Sequence, residues 1–195
     1  MNVILTAGYN NTHPDRSPLS LYRGRLWIDE QIDQLIELGH RVTVVLGDEW
    51  AEEVLVKSTS LINCELVFDA NGKDASLYTN IKSGLAAMDT LSSVLPIDTP
   101  CPGKEVWQGL LHHNHNLGTF HEVHWVQLFE ISKEKALPVF PILITQQGHR
   151  AIRKMDNFRG IDDPRLVYNC FPLIKNRLTT RPNSSSEPTL NEPNG

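Results

Sequence analysis

No apolar run in this chain approaches the roughly 20 residues that a membrane-spanning helix needs, and the N-terminus enters a strand pattern without the basic flank of a signal peptide. A cytoplasmic protein with no membrane partner is the expectation. Cysteine is scarce: Cys64, Cys101 and Cys170 are 3 in number, widely spaced and without a Cys-x-x-Cys pair. That excludes a disulfide framework and a thiolate zinc site, and leaves reduced thiols. An excess of positive charge is also missing, since 18 basic side chains stand against 23 acidic ones without segregation. A broad basic surface for nucleic acid is thereby excluded. Neither Gly-x-Gly-x-x-Gly nor the Gly-Lys-Ser/Thr ending of a P-loop occurs, and no repeat of solenoid length is present.

What the chain does have is enough apolar residue, 40% of 195, to bury the core of one domain. Two short apolar runs, Asn2 to Gly8 and Ser93 to Pro100, break abruptly into loops and read as buried parallel strands. Between them, Leu26 to Leu38 carries Ile28, Ile32, Leu35 and Ile36 at helical spacing, with Gly39 placed as a left-handed cap. Arg41 to Leu46 and Cys64 to Phe68 predict further strands, and Leu77, Ile81, Leu85 and Met88 define one face of a second helix. Beyond Gly103 a short helix is expected, then strands over Glu122 to Ile131 and Pro138 to Thr145, a helix from Gln146 to Met155, and a strand near Leu166 to Asn169. The alternation predicts an α/β fold, a single three-layer αβα Rossmann-like domain over residues 1–178 with a mostly parallel mixed sheet. Residues 179–195, rich in Pro, Asn and Ser, are expected to be a disordered tail.

In an open α/β sheet, ligands bind outside the carboxyl ends of the strands. The small residues Thr6, Ala7 and Gly8 would let main-chain N–H groups approach phosphate oxygens there, or are simply strand-to-loop geometry. Asp98, between Pro96 and Pro100, is a candidate magnesium ligand, because Mg²⁺ takes one or two protein carboxylates beside ligand phosphates. Its alternative is to cap the helix beginning near Gly103 or to stabilise its own turn. His112, His113, His115, His121 and His124 are dense enough for a zinc or nickel site, or form a polar loop. Cys101 is a modifiable thiol or a small packing residue.

The order Leu5-Thr6-Ala7-Gly8, Arg16-Ser17-Pro18-Leu19-Ser20-Leu21, Asn80-Ile81-Lys82-Ser83-Gly84-Leu85 and Leu95-Pro96-Ile97-Asp98-Thr99-Pro100 resembles the NTP-transferase family. The nearest branch is the MobA-like molybdenum-cofactor guanylyl- and cytidylyltransferases. The likeness continues through Pro138 to Ile144 and Ile161 to Val167, with Asp162 and Asp163 in a turn. It implies the nucleotide-diphospho-sugar transferase fold and Mg²⁺-dependent transfer of a nucleoside monophosphate from CTP or GTP to a phosphorylated acceptor such as molybdopterin, releasing pyrophosphate. On this chain the resemblance assigns Leu5, Thr6, Ala7, Gly8, Arg16, Asn80 and Lys82 to the nucleotide, Arg16 and Asp98 to catalysis, and Asp98 with Asn169 to the metal. The family's first loop carries an Arg where this chain has Asn11 and a Lys where it has Arg16, which is otherwise a solvated loop cation. Near the C-terminus Tyr168-Asn169-Cys170 stands in place of the usual acidic or amide ligand before a Thr-Pro. These departures support an alternative, a catalytically degenerate nucleotide- or partner-binding protein of the same fold. A histidine-based metal carrier is a third reading.

Overall fold

Strand β1 (Asn2–Ala7) sends Val3, Leu5 and Ala7 to one face of a sheet and Ile4 and Thr6 to the other, and all five are fully buried, as a strand between two helix layers requires. The computed structural model describes residues 1–8, 16–71, 75–88, 90–116, 124–131, 136–155 and 168–172. Residues 9–15 of the first loop, His121, Asp162, Asp163 and the tail from 179 lie outside the described residues.

Around β1 lie β4 (Arg41–Gly47), β5 (Glu65–Asp69) and β6 (Ser92–Pro96), all parallel to it. The sheet is completed by β7 (Trp125–Ile131), β8 (Ala136–Ile144) and β9 (Tyr168–Pro172), in the order β5-β4-β1-β6-β8-β7-β9. Only β8 is reversed, antiparallel to both β6 and β7. The expected mixed, mostly parallel sheet is therefore present. A small hairpin, β2 (Leu21–Tyr22) and β3 (Arg25–Leu26), stands apart from it.

One face is covered by α1 (Trp27–Glu37), α2 (Asp48–Lys57) and α4 (Lys104–Asn116), whose Ile28, Ile32, Val54 and Leu110 pack on strand residues such as Leu5, Val44 and Val126. On the other, α3 (Leu77–Ala86) and α5 (Gln146–Lys154) set Ile81, Leu85 and Ile152 against Ile4, Val94 and Trp125. The result is a three-layer αβα sandwich. Gly39 closes α1 at φ +80°, as its position in the sequence implies.

Two elements escape the apolar pattern. Helix α2 places Ala51 and Val54 in the core with Trp50 packed partly against it, and exposes Leu55 and Val56, so its sequence shows no clean helical face. Helix α4 extends through His112 and His113 rather than stopping after its first turns, because Val106 and Leu110 anchor it on Val126 and Leu143.

Candidate functional site

The chain leaves β1 toward β4 through α1 on one face, and reaches β6 from β5 through α3 on the other. The connection therefore changes face between β1 and β6, and an open α/β sheet forms its ligand crevice at such a point. Thr6 pairs with Pro96, and Ile97 N–H continues the ladder to Thr6 O at 3.1 Å. Gly8 and Asp98, each two residues beyond that pair, consequently emerge on the same rim. Arg16 joins them, donating from Nη1 to the main-chain oxygen of Asp98 at 3.0 Å.

The loop after β6 is held from its main-chain side. Thr99 N–H closes a turn onto Pro96 O at 3.0 Å, the Trp27 indole N–H donates to Ile97 O, and the Trp107 indole N–H donates to Pro102 O at 3.1 Å. Helix α4 starts at Lys104, so its cap position falls on Gly103 and not on Asp98. Asp98 is half-buried at the rim.

The glycine turn is shaped by a network that the sequence does not display. Gly8 N–H donates to Asn80 Oδ1 at 2.8 Å, and Asn80 Nδ2 donates to Asp69 Oδ2 at 2.6 Å. Asn80 and Asp69 are both fully buried, one on α3 and the other at the end of β5. Burial alone would raise the Asp69 carboxyl, but hydrogen bonds from Thr79, Asn71 and Asn80 outweigh it and hold the group below the ordinary value of 3.8. Asn80 thus spends its amide on holding Gly8 to Asp69 at the rim. Asp69 was missed at the sequence level. Its signal there is no more than an acid at a strand end two residues before Asn71, the Asx-turn spacing that the Asn71 N–H to Asp69 Oδ1 bond at 3.0 Å realises.

The hydrogen bond of Lys82 turns it away from this rim. Its ammonium donates to Met155 O at 2.7 Å, at the end of α5, while Arg153 of α5 donates to Ala86 O at 2.7 Å, the last residue of α3. The two cations cap each other's helices, which is where the helix dipole favours positive charge. Asn169 lies on β9 in the row of Val126, Leu143 and Ser93, so it is three strands from β6 and toward the end of the sheet opposite Asp98. These two residues and Asp98 do not form one cluster.

His112 and His113 sit on α4 with ring centroids 5.6 Å apart, and burial, followed by the neighbouring charge of His112, lowers the His113 imidazole from its ordinary 6.5. His124 precedes β7 instead, its carbonyl accepting from Thr145 N–H and Oγ1, each at 2.9 Å. Among the described residues no group of three or more His, Cys, Asp or Glu side chains could hold a metal ion. A cleft of about 870 Å³ at the opposite end of the sheet, bordered by Asn2, His40, Arg41 and Thr90, is separate from the rim. Among the described residues no helix is long and apolar enough to cross a membrane.

The donor chemistry of the rim suits a cation carried in by a triphosphate. One carboxylate, Asp98, stands on the rim with Gly8 and Arg16, and a single carboxylate is the sparse protein ligation that Mg²⁺ accepts. No family model matches the sequence, and no curated protein matches it. Solved structures do. Molybdopterin-guanine dinucleotide biosynthesis protein A from Archaeoglobus fulgidus superposes with a TM-score of 0.61 at 17% identity, covering 89% of this chain and 84% of its own. Rv0371c from Mycobacterium tuberculosis H37Rv, solved with manganese, gives a TM-score of 0.59 at 16% identity, covering 88% and 86%. A CMP:2-keto-3-deoxy-manno-octonic acid synthetase solved with CTP gives 0.62 at 11%, covering 87% and 89%. The fold is that of the MobA-like NTP transferases, the nucleotide-diphospho-sugar transferase fold.

Proposed function

We propose that this chain is a nucleotidyltransferase that binds CTP or GTP with a divalent cation, Mg²⁺ by preference, and passes the nucleoside monophosphate to a small phosphorylated acceptor such as molybdopterin. The observation that carries the reading is the convergence of the Gly8 turn, Asp98 and Arg16 on the rim between β1 and β6, through the Ile97 to Thr6 and Arg16 to Asp98 hydrogen bonds of 3.1 and 3.0 Å. The structural likenesses, one of them solved with CTP and another with manganese, support it.

In this reading the triphosphate lies against the backbone of the Gly8 turn at the end of the Leu5 to Gly8 segment, and the Asn80 to Asp69 network, which takes the Gly8 N–H, holds that turn in place. Asp98 holds the cation. Bound there, the cation supplies neutralisation of the charge that builds on the α-phosphate and the departing pyrophosphate. An acceptor phosphate oxygen forms the new bond to the α-phosphorus while the bond to the β-phosphate bridging oxygen breaks, and its electron pair leaves with pyrophosphate. The acceptor is its own nucleophile, so positioning is the main task of the protein. Arg16 steadies the Asp98 loop and contributes positive charge beside it.

The commitment of Asn80 to Gly8 and Asp69, and of Lys82 to Met155, favours a second reading, a binding protein of this fold without turnover. Calorimetry with each NTP in Mg²⁺, followed by pyrophosphate release with phosphorylated acceptors, separates them. Nucleotide binding with pyrophosphate release, both abolished by Asp98→Asn, is the expected result. Binding without release in any acceptor mixture selects the second reading, and binding untouched by Asp98→Asn refutes the metal assignment.

A further inference from the structure

We propose that Trp27 is a positioning residue for Asp98, its indole fixing the main chain of the cation loop so that the carboxylate is preset for a metal–triphosphate; the inference rests on the cation role proposed for Asp98. Trp27 opens α1 and is 6% exposed. Its indole N–H, a donor with no acceptor capacity, is given to the carbonyl of Ile97, the residue directly before Asp98.

That carbonyl lies beyond the last residue of β6, Pro96, where the ladder that satisfies strand carbonyls has ended. Ile97 is consequently tied on both sides, by its N–H to Thr6 O at 3.1 Å and by its carbonyl to the indole. With Arg16 on the next carbonyl, two consecutive peptide units at the carboxylate are held by long side chains from a different part of the chain. A phenylalanine would fill the same apolar space against the core and leave Ile97 O without this donor, so the indole nitrogen adds something that packing alone does not require.

Trp27 is itself well placed to act as a fixed point. Its main-chain N–H donates to Ser20 O at 2.7 Å, and the following Ile28 N–H donates to Pro18 O at 3.3 Å, so the segment after Arg16 supplies the caps that α1 lacks from side chains. Its ring also meets the edge of Tyr22 on the hairpin, with centroids 5.4 Å apart at 78°. One residue, through its main-chain N–H and its indole, therefore joins the Arg16 segment, the hairpin and the cation loop. Sites need such support, because a ligating group about 0.5 Å out of place loses much of its effect.

The test is Mn²⁺ binding by electron paramagnetic resonance with GTP, and again with CTP, for the wild type, Trp27→Phe and Asp98→Asn. Trp27→Phe is expected to weaken Mn²⁺ binding in the presence of nucleotide about tenfold, the worth of one buried hydrogen bond. Its nucleotide affinity in EDTA should match the wild type and its melting should stay a single cooperative transition, lowered only by the few degrees that one lost hydrogen bond costs, which a general loosening of the core would not allow. Wild-type Mn²⁺ affinity in Trp27→Phe, together with loss in Asp98→Asn, overturns the role of Trp27 and spares that of Asp98. Mn²⁺ binding unchanged in Asp98→Asn, or absent from the wild type, removes both. Should Trp27→Phe fail to fold, the assigned indole N–H resonance of Trp27 in the wild-type chain decides: it should shift when Mg²⁺ and nucleotide are added together, and a resonance that neither nucleotide moves refutes the proposal.

Discussion

Gly8 and Gly47 meet main chain to main chain at the ends of β1 and β4. A Cβ on Gly8 would stand 2.4 Å from Gly47 N, and one on Gly47 would stand 2.3 Å from Gly8 O. Neither glycine is needed for a left-handed φ; each is needed because two backbones occupy the space a side chain would take. The contact sets the rim between the first turn and the start of α2, so its size is part of the site.

Gly8→Ala and Gly47→Ala should therefore each destabilise the protein by about 2 kcal/mol, the scale of overpacking against atoms that cannot rotate away. Urea unfolding measures this. A change under about 0.5 kcal/mol, the ordinary range for an unconstrained surface substitution, would show that the two strand ends are free to separate.

Asn80→Ala removes the acceptor of Gly8 N–H and the donor to Asp69 at once, and leaves a buried carboxylate with fewer partners. The expected loss is about 3 kcal/mol, from unmade buried hydrogen bonds to a charged group. Nucleotide affinity should fall with it, since the Gly8 turn loses its support.

The same network predicts a pH dependence. The folded-state pKa of Asp69 lies below its ordinary 3.8, so the carboxylate contributes stability above that value and loses it as pH falls through the lower folded value. Stability of the wild type should drop as the solution is taken below about pH 4. Asp69→Asn should be less stable at pH 7 and show a smaller drop over that acid range. Parallel acid profiles for the two proteins would deny Asp69 this role.

Lys82→Met should cost about 1 kcal/mol through loss of a cation at the end of α5, with Arg153→Met similar through α3. Neither should alter NTP affinity beyond twofold. A large selective loss of nucleotide binding in Lys82→Met would return that residue to the nucleotide site where the sequence resemblance places it.

Cys64 and Cys101 are half-buried, and burial pushes both thiols up to about 11. The thiolate is the reacting form, so both should resist iodoacetamide at pH 8 in the native protein and react after unfolding. Mass spectrometry of labelled peptides checks each site, and rapid native labelling of Cys101 would instead mark it as an accessible thiol beside the Asp98 loop.

Much of the fold was legible because its elements are set by local periodicity. Strand β1 reads as an unbroken apolar run since both faces are covered, and α1 shows its buried stripe and its terminal Gly39 directly. The hairpin of β2 and β3 was not legible, because two-residue strands carry no pattern. Its turn sits on Arg23 at φ 52° and Gly24 at φ 81°, and only the glycine hints at it. Helix α2 was hidden for a different reason: at the edge of the sheet it has little core to bury and keeps apolar residues in solvent.

The sequence by itself determined that a glycine turn and an aspartate loop would each follow a buried strand, because abrupt ends of apolar runs at small or acidic residues are a local property. It also determined that Arg16 would precede α1. Only the tertiary structure decided that β1 and β6 would be neighbours in register, which brings residues 8, 16 and 98 to one rim, and that Asn80 would serve Gly8 from 72 residues away. It likewise withdrew Lys82 to α5 and left Asn169 three strands distant. The physical reason is that such pairings satisfy main-chain donors and carbonyls left over where strands and helices stop, and the partner that satisfies them is set by packing of the whole sheet rather than by any spacing along the chain.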